Sequence, residues 1–298
     1  MATKSQQRKF TQSADEHQQG IVSILRDLSR AHGLDRTWSD WTEMGALALA
    51  NAVDRGQFEK REKRYLEIVG RYAKEDLQRL ADAFALLVQC WDQRVATGEF
   101  GDVLGSTFMM LDMGNAGTGQ FFTPYEVSRL MGGMIMGDAG ELTDQVERRG
   151  FLRLMEPACG AGGMIIAAAN ALHDAKINYQ QAMHVVAIDI DRRCVHMAYL
   201  QLALLHIPTI VVHGNALTGE EWEHWYTPAH VVGDWSARLR QREAIQAMRE
   251  MLATPAAVDA PISTVEPAPA TAATTAPPQT VLSQAARQVA AAGQMTLF

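Results

Sequence analysis

Apolar residues recur at helical spacing from about Gly20 to Gln93: Ile21, Ile24, Leu25 and Leu28, then Trp38, Trp41, Met44, Leu47 and Leu49, then Tyr65, Ile68 and Val69, then Leu77, Leu80, Phe84, Leu87 and Val88. Gly33, Gly56 and Gly70 punctuate these runs, so residues 1–100 are expected to form a helical domain. From Gly101 the pattern changes. Short β-rich runs at Leu152–Met155, His184–Ile188 and Thr209–Val212 alternate with helical stretches at Pro124–Met136, Gly163–Ala175 and Asp191–Leu205. That order predicts an α/β fold with a parallel sheet over residues 101–252, with one more helix at Ser236–Leu252. From Ala253 the periodicity stops. Six of the ten prolines fall in residues 253–298 among many Ala and Thr, so this segment is expected to be a flexible tail, with a short helix at Ser283–Ala292 at most.

Composition narrows the partners. The chain has 298 residues, 47% of them hydrophobic, which is enough for substantial cores. Its 27 Lys and Arg stand against 34 Asp and Glu, a net charge of −7, so any DNA contact must use a local patch. One stretch qualifies. Between Arg55 and Lys74, Arg55, Lys60, Arg61, Lys63, Arg64, Arg71 and Lys74 outnumber Glu59, Glu62 and Glu67. They form either a solvated helix face with i,i+4 pairs or a phosphate-contacting surface. Cys90, Cys159 and Cys194 are too few and too scattered for a disulfide framework or thiolate cluster, and His224 and His230 have no third ligand at recognisable spacing, so no metal is expected. Met1–Phe10 is polar and basic and no apolar run approaches membrane-spanning length, from which a soluble, cytoplasmic protein without membrane contact is expected.

Candidate chemistry sits where strands are predicted to end. Glu156-Pro157-Ala158-Cys159-Gly160-Ala161-Gly162-Gly163 follows one β-rich run and opens a helix, where small residues let a ligand approach the backbone. The next run ends in Asp189-Ile190-Asp191, placing a carboxylate where it can take both hydroxyls of a ribose. The third ends in Gly214-Asn215-Ala216, and the Asn amide could meet an adenine edge. Upstream, Thr123-Pro124-Tyr125-Glu126 reads as a helix start with an N-cap Thr, Pro at the first helical position and a capping-box Glu.

The acidic-Pro-Ala-Cys-Gly signature resembles motif I of adenine-N6 DNA methyltransferases, especially the methylation subunits of type I restriction systems. Gly119-Gln120-Phe121-Phe122-Thr123-Pro124 is similar to the segment that precedes motif I in that family. The resemblance covers roughly Asp102–Leu217 and implies a Rossmann-like S-adenosylmethionine-dependent methyltransferase core. It implies that Glu156, Pro157, Ala158, Gly160 and Gly162 build the cofactor turn. Asp189 would bind the ribose, Asn215 the adenine edge, and Phe121, Thr123 and Pro124 the methionine end. It also implies DNA as substrate and a restriction or specificity subunit as partner.

The family's acceptor motif, Asn/Asp/Ser-Pro-Pro-aromatic after the fourth strand, is not found. Trp222–Trp235 occupies that place, and too little chain follows before the tail for three further strands. Asp234 and Trp235 are the candidate substitutes, the carboxylate accepting from the adenine amine and the indole stacking on the base. In a second reading Trp222, Trp225, Tyr226 and Trp235 merely cover a sheet edge. Three functions follow: a site-specific adenine methyltransferase, an inactive regulatory or anti-restriction module that keeps the cofactor pocket, or a half-enzyme completed by a partner chain. At the end of the tail, Gln294-Met295-Thr296-Leu297-Phe298 resembles the peptide that binds the bacterial DNA polymerase III sliding clamp, with Gln294, Leu297 and Phe298 as anchors.

Overall fold

The computed structural model describes residues 15–113, 122–253 and 295–296. Phe121, Gln294, Leu297, Phe298 and residues 254–294, including the expected helix at Ser283–Ala292, lie outside the described residues.

The amino-terminal part is helical, as the periodicity predicts: α1 (Glu16–His32), α2 (Leu34–Val53), α3 (Phe58–Val69) and α4 (Lys74–Thr97). Asp15 caps α1 by accepting from the Gln18 N–H at 2.8 Å, and Gly33, at φ +80°, turns the chain into α2. The apolar stripes of these helices meet around Trp38, which lies edge-on to Trp41 and Phe108. They do not close a separate core. Residues from Ile21 to Trp225 form one continuous buried cluster, with α2 packed along the sheet-covering helix α10 (Arg192–Leu204).

Three elements lead into the sheet: α5 (Val103–Met110), α6 (Tyr125–Met136) and α7 (Ala139–Arg149). The alternation then runs β1 (Leu152–Glu156), α8 (Gly163–Asp174), α9 (Tyr179–Ala182), β2 (Met183–Asp189), α10 and β3 (Thr209–Asn215). The strands β1, β2 and β3 are parallel, with Leu152 paired to Met183 and Val185 to Thr209. All three expected runs extend further than their composition suggested, since ladder pairing carries β1 to Glu156, β2 to Asp189 and β3 to Asn215.

The aromatic stretch after Asn215 is corrected by the structure. Glu220–Tyr226 forms β4, antiparallel to β3, with Trp225 buried opposite Val211. Thr227 then caps α11 (Pro228–Val232), and α12 (Trp235–Ala253) follows. Met295–Thr296, the middle of the expected clamp peptide, pairs in parallel with Leu154–Met155 as β5, so the sheet order is β4-β3-β2-β1-β5.

In the basic stretch Arg55, Lys60, Lys63, Arg71 and Lys74 are exposed and Arg64 makes an i,i+3 pair with Glu67, as a solvated helix face would, but several of its cations also reach partners on other elements. Arg61 is buried, ion-paired to Asp54 at 2.8 Å, donates to the His224 carbonyl and lies 4.4 Å from the Trp225 ring. Arg64 forks onto Glu43 with two 2.7 Å bonds, Arg71 pairs with Asp40, and Lys60 reaches Glu223 at 3.0 Å. These contacts fasten the helical layer to itself and to β4, with Arg61 the buried one among them.

Candidate functional site

The carboxyl ends of β1 and β2 stand side by side because Glu156 pairs with Ala187 and the Cys159 N–H donates to the Ile188 carbonyl at 2.9 Å. Between β1 and α8 the chain turns through Gly160 at φ +54° and Gly162 at φ +95°, backbone states that side chains resist. A Cβ at Gly160 would stand 3.0 Å from the Phe122 ring. The turn is held against the tip of β2, where one Asp189 oxygen accepts from the Gly160 N–H and the other from the Asp191 N–H, both at 2.8 Å.

A cavity of about 270 Å³ opens here, lined by Asp102, Phe122, Thr123, Ser128, Glu156 and most of the turn, Ala158–Ala161 with Gly163 and Met164. A smaller cavity of about 150 Å³ adjoins it at Asp102, Phe122 and Thr123 and continues past Pro124 and Tyr125. Two buried polar atoms lining the larger cavity, Glu156 Oε2 and Ser128 Oγ, have no hydrogen-bond partner. The other Glu156 oxygen accepts from the Ala158 N–H at 3.1 Å. Burial, and secondarily the charge of Asp189, pushes the Glu156 carboxyl up to about 7.

Asp102 and Asp189 are likewise raised, chiefly by burial. Asp102 is tied to neutral donors, the Gln201 amide and the Gly105 N–H, each at 2.8 Å. Among the described residues none of these three carboxylates forms an ion pair. A buried carboxylate without a countercharge is costly, so the arrangement favours a ligand that brings positive charge and hydroxyl donors.

Of the residues singled out in the sequence, Glu156, Ala158, Gly160 and Thr123 line the larger cavity, Pro124 lines its extension, and Asp189 joins through Gly160. Pro157 and Gly162 shape the turn without lining the cavity. Asn215 does not line it either: its Oδ1 accepts from the Leu217 N–H at 3.0 Å and holds the β3–β4 turn. The expected capping box is not made. Pro124 takes the N-cap position of α6, one residue later than expected, and no side chain caps the helix, which leaves Thr123 facing the cavity.

Asp234 and Trp235 are not brought to the site. Trp235 is 1% exposed and packs on Phe151 and His184, at the opposite ends of β1 and β2, while Asp234 is a surface residue at φ +49° where α12 begins. His230 contacts His184 at 2.9 Å and Ser236 at 3.0 Å, and His224 contacts Glu221. Among the described residues no group of three acidic, His or Cys side chains could hold a metal ion, and no helix is long and apolar enough to cross a membrane.

Sequence reasoning missed Asp102, Ser128 and Ile190. Ile190 is 61% exposed directly after Asp189, an apolar side chain beside the acid at the strand tip. Its position inside Asp-Ile-Asp could have marked it, whereas Asp102 and Ser128 carry no local motif.

A glycine-rich β1 turn, an acid ending β2 and the order β3-β2-β1 of parallel strands define a Rossmann-like class of domain. Residues 97–243 match the model of the N-6 DNA Methylase family. The chain is also similar to two solved structures. One is a putative class I S-adenosylmethionine-dependent methyltransferase from Listeria monocytogenes, at 12% identity and a TM-score of 0.35, with 68% of this chain and 55% of that chain covered. The other is the type I restriction-modification system methyltransferase subunit from Streptococcus thermophilus, at 14% identity and a TM-score of 0.32, with 73% and 60% covered. This chain thus spans between half and two thirds of either. No curated protein matches it.

Proposed function

We propose that the chain binds S-adenosylmethionine in the cavity at the β1 and β2 tips and serves adenine-N6 methylation of DNA. The observation that carries this reading is the set of three carboxylates, the buried Asp102 and Glu156 and the half-buried Asp189, without a basic partner among the described residues around a glycine turn, together with the two unpartnered atoms Glu156 Oε2 and Ser128 Oγ. The ligand has the matching inventory: a ribose with two hydroxyls, an ammonium and a sulfonium. Asp189 would take the ribose, Ile190 would lie along the adenine, and Asp102 with the Thr123–Pro124 corner would hold the amino-acid end. Once bound, the ligand supplies an electrophilic methyl group. The protein's part is to fix its direction and exclude water.

A specific observation favours the half-enzyme reading for the acceptor side. Among the described residues the outer edge of β1 pairs only with the two residues of β5, and no Pro-Pro-aromatic segment reaches the cavity. Completion of the acceptor site by a partner chain therefore fits better than catalysis by Asp234 and Trp235.

Calorimetry with S-adenosylmethionine and its demethylated product tests the cofactor reading, and no heat with either ligand would refute it. Labelled methyl transfer to adenine-containing DNA, measured for the chain alone and after addition of the remaining subunits of a restriction-modification complex, tests the division of labour. Label transfer by the chain alone at full rate would reject the half-enzyme.

A further inference from the structure

A concentration of positive charge lies far from the cofactor cavity. A groove of about 430 Å³ runs between the last turn of α7 and one face of α12, lined by Arg148, Arg149, Phe151, Arg238, Arg242 and Arg249. Among the described residues five arginines and no carboxylate line it. It sits beside Phe151, before the first residue of β1, whereas the cavity sits at Glu156; at ~3.3 Å per residue, β1 alone separates them by about 13 Å.

The guanidinium groups are held mainly by ring faces and carbonyls. Arg238 lies 3.7 Å from the Trp235 ring centre, and Arg242 lies 4.6 Å from that of Phe151 and donates to the Phe151 carbonyl at 2.7 Å. Arg148 donates to the Asp144 carbonyl at 3.1 Å. None of these three forms an ion pair among the described residues; the nearby Glu243 is paired with Arg153. A guanidinium carries five N–H donors in a planar fork, so stacking and one carbonyl bond leave donors for an anion. Burial, and then the charges of Arg153 and Arg149, lower the Arg242 pKa.

The arrangement is a row. On α12, Arg238, Arg242 and Arg249 share one face, about 6 Å and then about 10 Å apart along the axis at 1.5 Å per residue. A single small anion is best held by converging donors, whereas a row suits an anion that repeats. We propose that this groove binds the phosphate backbone of nucleic acid, without base readout, as a docking contact separate from the cofactor cavity. The choice of nucleic acid among polyanions rests on the reading of the chain as a DNA-modifying protein. The groove would hold the DNA by its backbone while leaving the bases free for the acceptor site.

The test is fluorescence anisotropy of a short labelled duplex with the full chain over a range of salt concentrations. The paired substitutions Arg148→Gln with Arg249→Gln involve exposed side chains outside the core. Arg238→Gln with Arg242→Gln removes the two ring-stacked groups. Each pair should weaken duplex binding about tenfold near physiological salt and reduce the slope of log affinity against log salt by about 1.8, at roughly 0.9 for each phosphate no longer neutralised. Duplexes with and without adenine should respond alike, and calorimetric affinity for S-adenosylmethionine should be unchanged. An unaltered salt slope in the Arg148/Arg249 pair overturns the proposal even if the other pair fails to fold. Displacement by poly-glutamate as effective as by DNA at equal charge overturns the choice of phosphate. Arginine-dependent duplex binding by a chain that ignores S-adenosylmethionine would sink the cofactor reading and leave this contact standing.

Discussion

Glu156→Gln separates a structural carboxylate from one kept for a ligand. In the folded chain Glu156 is buried, with one oxygen on the Ala158 N–H and the other unpartnered, and its pKa rises from 4.5 to about 7. The folded state therefore holds a proton that the unfolded state has released, and stability falls as pH rises from 4.5 through about 7. That rise corresponds to about 3 kcal/mol at pH above 7, an upper bound because the amide keeps one unpartnered polar atom. Urea unfolding of the ligand-free protein should show the variant gaining up to this amount over the native chain between pH 5 and 8. Taking the difference cancels His184 and His230, whose buried rings are lowered to about 3 and about 4 and cost stability as pH falls below 6.5. Ligand binding should run the opposite way. A cationic ligand favours the ionised carboxylate, so affinity of the native chain should rise about tenfold from pH 6 to 8, with proton release seen in buffers of different ionisation heat. The variant should bind more weakly with little pH dependence. Parallel stability profiles for the two proteins would refute the assignment of the titration to Glu156.

Other predictions follow from the same geometry. Asp189→Asn should weaken cofactor binding at least tenfold in calorimetry. It should also lower the melting temperature modestly, because Asp189 fixes the Gly160 and Asp191 backbone; unchanged affinity would remove the ribose role. Gly160→Val must displace Phe122 and strain a positive φ, so binding should be lost with the far-ultraviolet spectrum preserved; normal binding would show that the turn does not meet the ligand. Arg61→Met leaves Asp54 without its buried ion-pair partner and the His224 carbonyl with the Gln57 amide as its remaining side-chain donor, which should cost about 3 kcal/mol in urea unfolding. A loss below about 1 kcal/mol, the range of surface pairs, would mean the pair is solvated in solution.

The parallel strands and their helices were legible because β1, β2 and β3 are buried β-rich runs ending in Gly, Asp or Asn, signals that depend on neighbours a few residues away. The Glu156–Gly162 turn and Asp189 were legible for the same reason. What escaped depends on distant contacts. Nothing near Asp102 says that it will pack beside Gly163 at the cavity, and nothing near Glu220 says that the charged, aromatic run to Tyr226 will pair with β3. The basic stretch from Arg55 to Lys74 was legible only in part because a sequence shows charges without their partners. Glu43, Asp40, Asp54 and Glu223 lie outside or at the border of that stretch, and only folding brings them onto its cations. The groove arginines come from two segments some ninety residues apart, Arg148–Arg149 and Arg238–Arg249, neither of which stands out in the chain.

Because helices and sheet share one buried cluster, and because Arg61 and Lys60 rivet one to the other, the boundary drawn near residue 100 from composition is not a seam along which the molecule can be cut. Heating should melt both parts in a single cooperative transition. A fragment starting at Gly101 would expose the apolar sides of α10 and Trp225 that α2 and α3 now cover, and should be recovered as aggregate until the missing helices are supplied in trans.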